Sequence, residues 1–264
     1  MIVRKAEQRI TELLRPVAGG DARMEAVFLL RANGFHSPYQ ELTETDAKAL
    51  EPLIERRLAG EPLQYVLGEW EFYGLPFYVD KTVLIPRPDT ERLVETALPF
   101  LSKDGCDVLD LCCGSGCIGI ALAVCGGANV TAADISADAL SMTERNARRN
   151  GVSVKTIQSD LFDSVEGTFD LIVSNPPYLS QAEMDARDES LRYEPALALD
   201  GGEDGLSFYR WIAKEYRRYL KPGGTLLLEI GMTQKDAVAA LFESCECISD
   251  YGGRPRVIMV KNDD

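Results

Sequence analysis

Apolar residues recur along this chain with two different periods, and the switch between them divides it. Over residues 1–58 the spacing is helical: Ile10, Leu13, Leu14 and Val17 stand at i, i+3, i+4 and i+7, one face of a helix. A second helix is predicted from Asp21 through Met24, Val27, Phe28 and Leu30, ending at Gly34. A third begins near Thr43, where Asp46 can complete a capping box, and is bent or restarted at Pro52. Helices this short are marginal alone, so a small helical bundle is expected.

Residues 59–88 change character. Aromatic and β-branched residues surround Gly74-Leu75-Pro76, which predicts a hairpin. Pro86-Arg87-Pro88 stops strand continuation, and Asp89 or Thr90 is expected to cap a helix through Leu93, Val94 and Leu98. From about 106 onward, strand-length apolar runs alternate with helical patterns. The candidate strands are 107–112, 129–133, 154–158, 169–174, 224–230, 245–249 and 256–260. Such alternation predicts a parallel sheet covered by helices on both faces, with ligands bound beyond the carboxyl ends of the strands. The expected division is a helical domain over 1–58, a hairpin linker over 59–88 and an α/β domain over 89–264.

Composition narrows the function. The 264 residues carry 42 acidic against 28 basic side chains, a net charge of −14, which argues against broad nucleic-acid binding because that affinity comes largely from Lys and Arg. Arg145, Arg148 and Arg149 read as the solvated face of a helix. The N-terminus has no signal-peptide core and no stretch has the apolar length of a membrane span, so a cytoplasmic protein is expected. Five of the seven cysteines fall between 106 and 125, but Cys112-Cys113-x3-Cys117 lacks paired knuckles and the single histidine, His36, is remote. Small buried thiols are expected there, with no metal.

Three predicted strand ends carry candidate ligand contacts. Asp110-Leu111-Cys112-Cys113-Gly114-Ser115-Gly116 leads from a strand into a helix, and its glycines permit close backbone approach. Alone, such a turn serves NAD, FAD, nucleotides or S-adenosylmethionine equally, or is only structural. Asp134 ends the next strand, 24 residues beyond Asp110, where a carboxylate can accept both ribose hydroxyls or merely cap the following helix. Ser159-Asp160-Leu161-Phe162 follows the third. Together they favour an adenosine-bearing ligand, because three such elements at successive strand ends are more specific than any one of them.

The fourth strand runs into Asn175-Pro176-Pro177-Tyr178. Two prolines fix φ and donate no N–H, giving a stiff loop with carbonyl acceptors. That suits a planar NH2 group, whose lone pair is delocalised into its neighbouring π-system. Asn175 and the Pro176 carbonyl can each accept one N–H and orient the nitrogen, while Tyr178 stacks on the planar group. The motif contains no strong base, and an amide nitrogen that has gained a methyl group loses its proton without one.

These motifs, with Glu61-Pro62-Leu63-Gln64-Tyr65, Ile85-Pro86-Arg87-Pro88-Asp89-Thr90-Glu91, Tyr193-Glu194-Pro195, Leu199-Asp200-Gly201-Gly202 and Leu220-Lys221-Pro222-Gly223-Gly224, resemble the release-factor-specific glutamine N5-methyltransferase family, PrmC/HemK. The resemblance covers nearly the whole chain. It implies a class I S-adenosylmethionine-dependent methyltransferase fold, Rossmann-like with a seven-stranded, mostly parallel sheet, behind a five-helix-type N-terminal domain that helps hold the release factor. Its cofactor contacts would be Cys112, Cys113, Gly114, Ser115, Gly116, Asp134, Leu161 and Asn175. Asn175, Pro176 and Tyr178 would be catalytic, and Pro177 would join them in holding the glutamine of a Gly-Gly-Gln loop. No stable nucleic-acid or membrane binding is expected, and the sequence does not fix the oligomeric state, for which a monomer is the simplest expectation. One departure is Cys112, where the family turn often has glycine. The runner-up is an N6-adenine or N4-cytosine methyltransferase, which needs the same acceptors around a flipped base.

Overall fold

The computed structural model describes residues 1–101 and 105–262. Two compact units result: residues 1–69 with 188–193, and residues 70–187 with 194–264.

The first unit contains α1 (Val3–Ala18), α2 (Ala22–Ala32), α3 (Glu44–Leu58) and α4 (Leu63–Leu67), with a 3-10 turn at Gly19–Asp21. The α3 capping box forms as expected: the Asp46 N–H donates to Thr43 Oγ1 at 3.2 Å, and the Thr43 N–H donates to Asp46 Oδ2 at 2.8 Å. Pro52 does not restart this helix, which runs on to Leu58. The buried face of α1 is Val3, Ala6, Ile10 and Leu14, whereas Leu13 is exposed. In α2 the core residues are Ala22, Ala26, Leu29 and Leu30, and Met24 is exposed. Both faces are rotated from the expected ones, and alanines Ala6, Ala22 and Ala26 join Ile10, Leu14, Leu29 and Leu30 in the buried cluster. Buried Glu25 is matched by Arg57, whose Nε and Nη2 donate to the carboxylate at 2.7 and 3.1 Å. Such a forked pair offsets the desolvation of both charges.

The second unit opens on a hairpin of β1 (Glu69–Phe72) and β2 (Leu75–Tyr78). Its turn is Tyr73-Gly74, both at positive φ (53° and 71°), one residue earlier than the sequence pattern suggests. Two such residues give the turn whose twist matches paired strands. Phe72 and Phe77 are buried in the core of this unit. A 3-10 turn at Pro88–Thr90 precedes α5 (Glu91–Ala97), so neither Asp89 nor Thr90 caps it through a side chain.

The rest alternates: β3 (Asp107–Leu111), α6 (Cys117–Gly126), β4 (Asn129–Asp134), α7 (Ala137–Arg149), β5 (Val154–Gln158) and β6 (Phe169–Ser174). Then come α8 (Gln181–Ala186), α9 (Ser207–Glu215), β7 (Leu220–Glu229), α10 (Lys235–Ala239), β8 (Glu246–Ser249) and β9 (Pro255–Lys261). The seven-stranded sheet has the order β5-β4-β3-β6-β7-β9-β8. Its first five strands are parallel, and β9 runs antiparallel to both neighbours. β7 starts at Leu220, earlier than its apolar run, because Leu220 pairs with Phe169 on β6, and Gly223 and Gly224 then exchange backbone hydrogen bonds with Asn262 at 2.8 and 2.9 Å.

Both sheet faces are covered. Val108, Leu171 and Leu227 belong to one core cluster, while Leu109, Ile172 and Leu226 belong to the other. That alternation explains the continuous apolar runs of these strands. Arg145 and Arg149 lie over the Tyr78 ring, 4.8 and 4.1 Å from its centroid, so this helix face covers the hairpin instead of being only solvated. Among the described residues no helix is long and apolar enough to cross a membrane.

Candidate active site

Strand register brings four chain segments together at one edge of the sheet. Leu111 is level with Ala133 on β4 and with Ser174 on β6, and Asp134 is level with Gln158 on β5. The next residues on each strand, Cys112, Asp134, Ser159 and Asn175, therefore stand side by side. All four line one cleft.

The carboxylate of Asp134 organises the cleft floor. Its Oδ2 accepts the Gly114 N–H and its Oδ1 accepts the Ser136 N–H, both at 2.9 Å. Burial pushes its pKa up, and those backbone donors pull the other way. Each carboxylate oxygen retains a second acceptor direction, so a vicinal diol can be bound as well. The α7 cap is supplied by Ser136, whose Oγ accepts the Ala139 N–H at 3.2 Å.

Cys112 and Leu161, which both line the cleft, have left-handed backbone (φ 58° and 46°). For non-glycine residues that conformation is uncommon and costs about 1–2 kcal/mol each. Here it turns the chain away from the strand end and leaves room for a ligand. Nothing lies within 4 Å of where a Cβ on Gly114 would be, so the turn presents open backbone there. These features fit an adenosine-bearing cofactor.

Not every residue of the expected constellation faces the cleft. Cys112, Gly114, Asp134, Leu161, Asn175 and Pro177 line it. Cys113, Ser115 and Gly116 lie buried behind the turn: the Ser115 carbonyl accepts Asn146 Nδ2 at 2.9 Å, and the Gly116 N–H closes the turn onto Cys113 at 2.8 Å. A Cβ at Gly116 would meet Thr143 at 2.7 Å, so this glycine serves packing. Burial pushes the Cys112, Cys113 and Cys117 thiols up, which keeps them protonated and inert. Among the described residues, no three His, Cys, Asp or Glu side chains are grouped to hold a metal ion.

Behind the Asn-Pro-Pro-Tyr loop, the Gly201 N–H donates to the Leu179 carbonyl at 2.8 Å, and Gln234 Nε2 donates to the Tyr178 carbonyl at 2.9 Å. A Cβ on Gly201 would lie 2.8 Å from Tyr178 Cα and 2.9 Å from the Pro177 oxygen. The Pro177 carbonyl is thus covered, while Pro176, which is buried, and Tyr178 do not line the cleft. Burial raises the Tyr178 phenol to about 12, so it stays neutral. Asn175 Nδ2 donates to Thr90 Oγ1 at 3.3 Å.

Comparison with known proteins decides the family. A PrmC N-terminal domain matches residues 4–68, and a methyltransferase small domain matches residues 90–191. Release factor glutamine methyltransferases from Agrobacterium fabrum and Geobacter sulfurreducens are each 42% identical to this chain, covering 84% and 90% of it and 81% and 89% of themselves. That of Haemophilus influenzae is 36% identical over 96% of both chains. The chain belongs to the release factor glutamine methyltransferase family. The fold also matches a Pyrococcus furiosus methyltransferase, with a TM-score of 0.56 at 20% identity, covering 82% of this chain and 98% of that one. A Thermus thermophilus 16S rRNA N2 G1207 methyltransferase, solved with AdoMet and guanosine, gives a TM-score of 0.54 at 17% identity, covering 74% and 49%.

The family's Ile-Pro-Arg-Pro-Asp-Thr-Glu block now has a physical reading, since its polar groups tie distant segments to the site. The Ile85 N–H donates to Glu194 Oε2 at 3.0 Å, and Arg87 pairs with the same carboxylate. Asp89 pairs with buried Arg256 at 2.9 Å, and Glu91 accepts the Tyr73 N–H at 2.8 Å. Cleft residues not singled out from sequence include Thr82, Leu84, Ser136, Ala198 and Phe208. Thr82 and Leu84 sit on a loop, Ser136 caps α7, Ala198 ends a 3-10 turn and Phe208 lies in the first turn of α9, where short local elements give no periodicity to mark them.

Proposed function

We propose that this chain methylates the side-chain amide nitrogen of the glutamine in the Gly-Gly-Gln loop of peptide-chain release factors, with S-adenosylmethionine as donor. The observation that carries this is the position of Asn175, at a strand end beside the Asp134 cleft and with its Nδ2 already engaged by Thr90. The family relatives' shared name supplies the substrate class.

Cys112, Gly114, Asp134 and Leu161 would hold the cofactor, which supplies an electrophilic methyl group on sulfur. The protein's task is to present the amide nitrogen to it. With its Nδ2 on Thr90, Asn175 offers Oδ1 as acceptor for one N–H, and the Pro176 carbonyl accepts the other. Both bonds strengthen as positive charge develops on nitrogen, so they favour the transition state over the ground state. Tyr178, neutral, supplies a flat apolar surface for the planar group. The helical unit over residues 1–58 recognises the body of the release factor, and the hairpin stretch links it to the methyltransferase domain.

The test is radiolabelled methyl transfer with intact release factor, its Gln→Ala variant, a free Gly-Gly-Gln peptide and duplex DNA in parallel. Label is expected on the intact factor alone, with little on the peptide because remote binding energy positions the amide. Label on DNA, or equal label on the Gln→Ala variant, would overturn the assignment.

A further inference from the structure

Two consecutive prolines deprive the Asn-Pro-Pro-Tyr loop of N–H donors by which a loop ties itself to its neighbours. Its start is held by the sheet, where Ser174 is level with Leu228 of β7 and donates its Oγ–H to the Leu111 carbonyl at 2.8 Å. At its far end the loop presents carbonyls, and a donor has to come from elsewhere.

Gln234 supplies that donor, and the direction of its amide is specified by all its partners. Oε1 accepts the Gly231 N–H at 3.0 Å, while Nε2 donates to the Tyr178 carbonyl at 2.9 Å and to the Gly205 carbonyl at 3.2 Å. A reversed amide would set a donor against the Gly231 N–H and an oxygen against two carbonyls. The backbone beneath is fixed as well. The Gln234 N–H donates to the Gly231 carbonyl at 3.0 Å, and its own carbonyl accepts the N–H of buried Val238 at 2.9 Å. Glycines make the room: a Cβ on Gly205 would lie 2.8 Å from Gln234 Nε2, and one on Gly231 would lie 2.9 Å from Gln234 Oε1.

We propose that Gln234 is a positioning residue for methyl transfer. By joining the segment after β7, the 201–205 loop and Tyr178, it sets how far the acceptors of the Asn-Pro-Pro-Tyr loop reach toward the substrate amide. The residue type fits the task, since Glu would lack the donors, Lys the acceptor, and Asn is a methylene short. A loop displaced by an ångström loses rate more than ground-state binding, because its contacts count most in the transition state. The inference rests on the acceptor role of the loop proposed above.

The experiment uses the full chain and reads kcat and KM with intact release factor, beside the Kd for S-adenosylmethionine. Gln234→Met, similar in length but without the bonds, is expected to lower kcat roughly 10–100-fold, the scale of a misplaced reacting geometry, with KM and Kd within about threefold. Gln234→Glu keeps the Gly231 bond and loses only the donors, so it decides the matter should the Met variant fail to fold. Its kcat should be as low near pH 8 and recover relative to wild type as pH falls toward about 6, because facing carbonyls raise its pKa and a protonated carboxyl again donates to Tyr178. Wild-type kcat in Gln234→Met would overturn the proposal. So would a loss carried equally by kcat and the S-adenosylmethionine Kd, or a Gln234→Glu deficit that does not change with pH. Absence of label on the factor with wild-type enzyme, or undiminished turnover in Asn175→Ala, would instead strike the reading on which the proposal rests.

Discussion

Asp134 accepts the Gly114 N–H at 2.9 Å, so the acid that ends one strand also holds the turn that follows its neighbour. Its replacement must therefore act twice, by removing an acceptor for a ligand diol and by releasing the turn. For Asp134→Ala we expect the Kd for S-adenosylmethionine to rise roughly 10–150-fold, from charge-assisted bonds of ~1.5–3 kcal/mol. Calorimetric titration measures it directly. An unchanged Kd would reduce Asp134 to a structural brace for the turn.

Asn175→Ala should leave the fold intact and lower turnover about 10²–10³-fold, the loss of ~2.7–4 kcal/mol that follows removal of one preorganised contact at a reacting centre. Cofactor affinity should change less. Single-turnover kinetics separates the two, and wild-type rates would rule out the acceptor role.

Gly201→Ala probes the support behind the loop. The added methyl would lie 2.8 Å from Tyr178 Cα, a backbone atom that cannot swing aside. We expect kcat to fall roughly 10–100-fold by displacement of the loop. Cofactor binding, which rests on the Asp134 side of the cleft, should persist. Loss of both in equal measure would point to general unfolding.

Buried Asp110 should make stability depend on pH. Its carboxyl is raised to about 7, by burial first, then by the nearby Asp134 charge, against one Gly119 N–H bond. Well below pH 4 it is neutral in both folded and unfolded chains. As pH rises toward 7 the unfolded chain ionises first, so the contribution to stability is lost over that window. Relative to Asp110→Asn, wild type should lose about 2–3 kcal/mol between pH 5 and 8, at about 1.4 kcal/mol per pH unit. Urea melts of both proteins at the two pH values check this, and a pH-independent difference would show that Asp110 is not neutral in the fold.

Asn146 joins the hairpin to the glycine turn: its Oδ1 accepts the Tyr78 N–H at 2.7 Å, and its Nδ2 donates to the Tyr78 and Ser115 carbonyls at 3.1 and 2.9 Å. Asn146→Leu would strand three backbone groups, each costing ~1–3 kcal/mol. A fall of at least about 3 kcal/mol in unfolding free energy is expected from chemical denaturation. A loss below about 1 kcal/mol would mean that water replaces these bonds.

The strands were legible because a sheet buried on both faces writes unbroken apolar runs, as in Val108-Leu109 and Leu171-Ile172-Val173. Strand ends then located Asp134 and Asn175 without any structure. Helix faces were less legible, since Leu13 is as apolar as Leu14 yet points outward, while Ala6 and Ala26 carry the contact. The left-handed backbone at Cys112 and Leu161 was invisible for a different reason: neither residue type favours it. Nor could the Thr90–Asn175 bond be read, as it joins positions 85 residues apart through the fold alone.

β9 lies between β7 and β8 although it follows both in the chain. A nascent chain therefore exposes the outer edge of β7, and all of β8, until β9 has emerged and slotted between them. For roughly a second of synthesis the strand that carries Glu229 borders an open edge able to accept a foreign strand. Slower docking of β9 would lengthen that exposure, and aggregation during expression should rise with it.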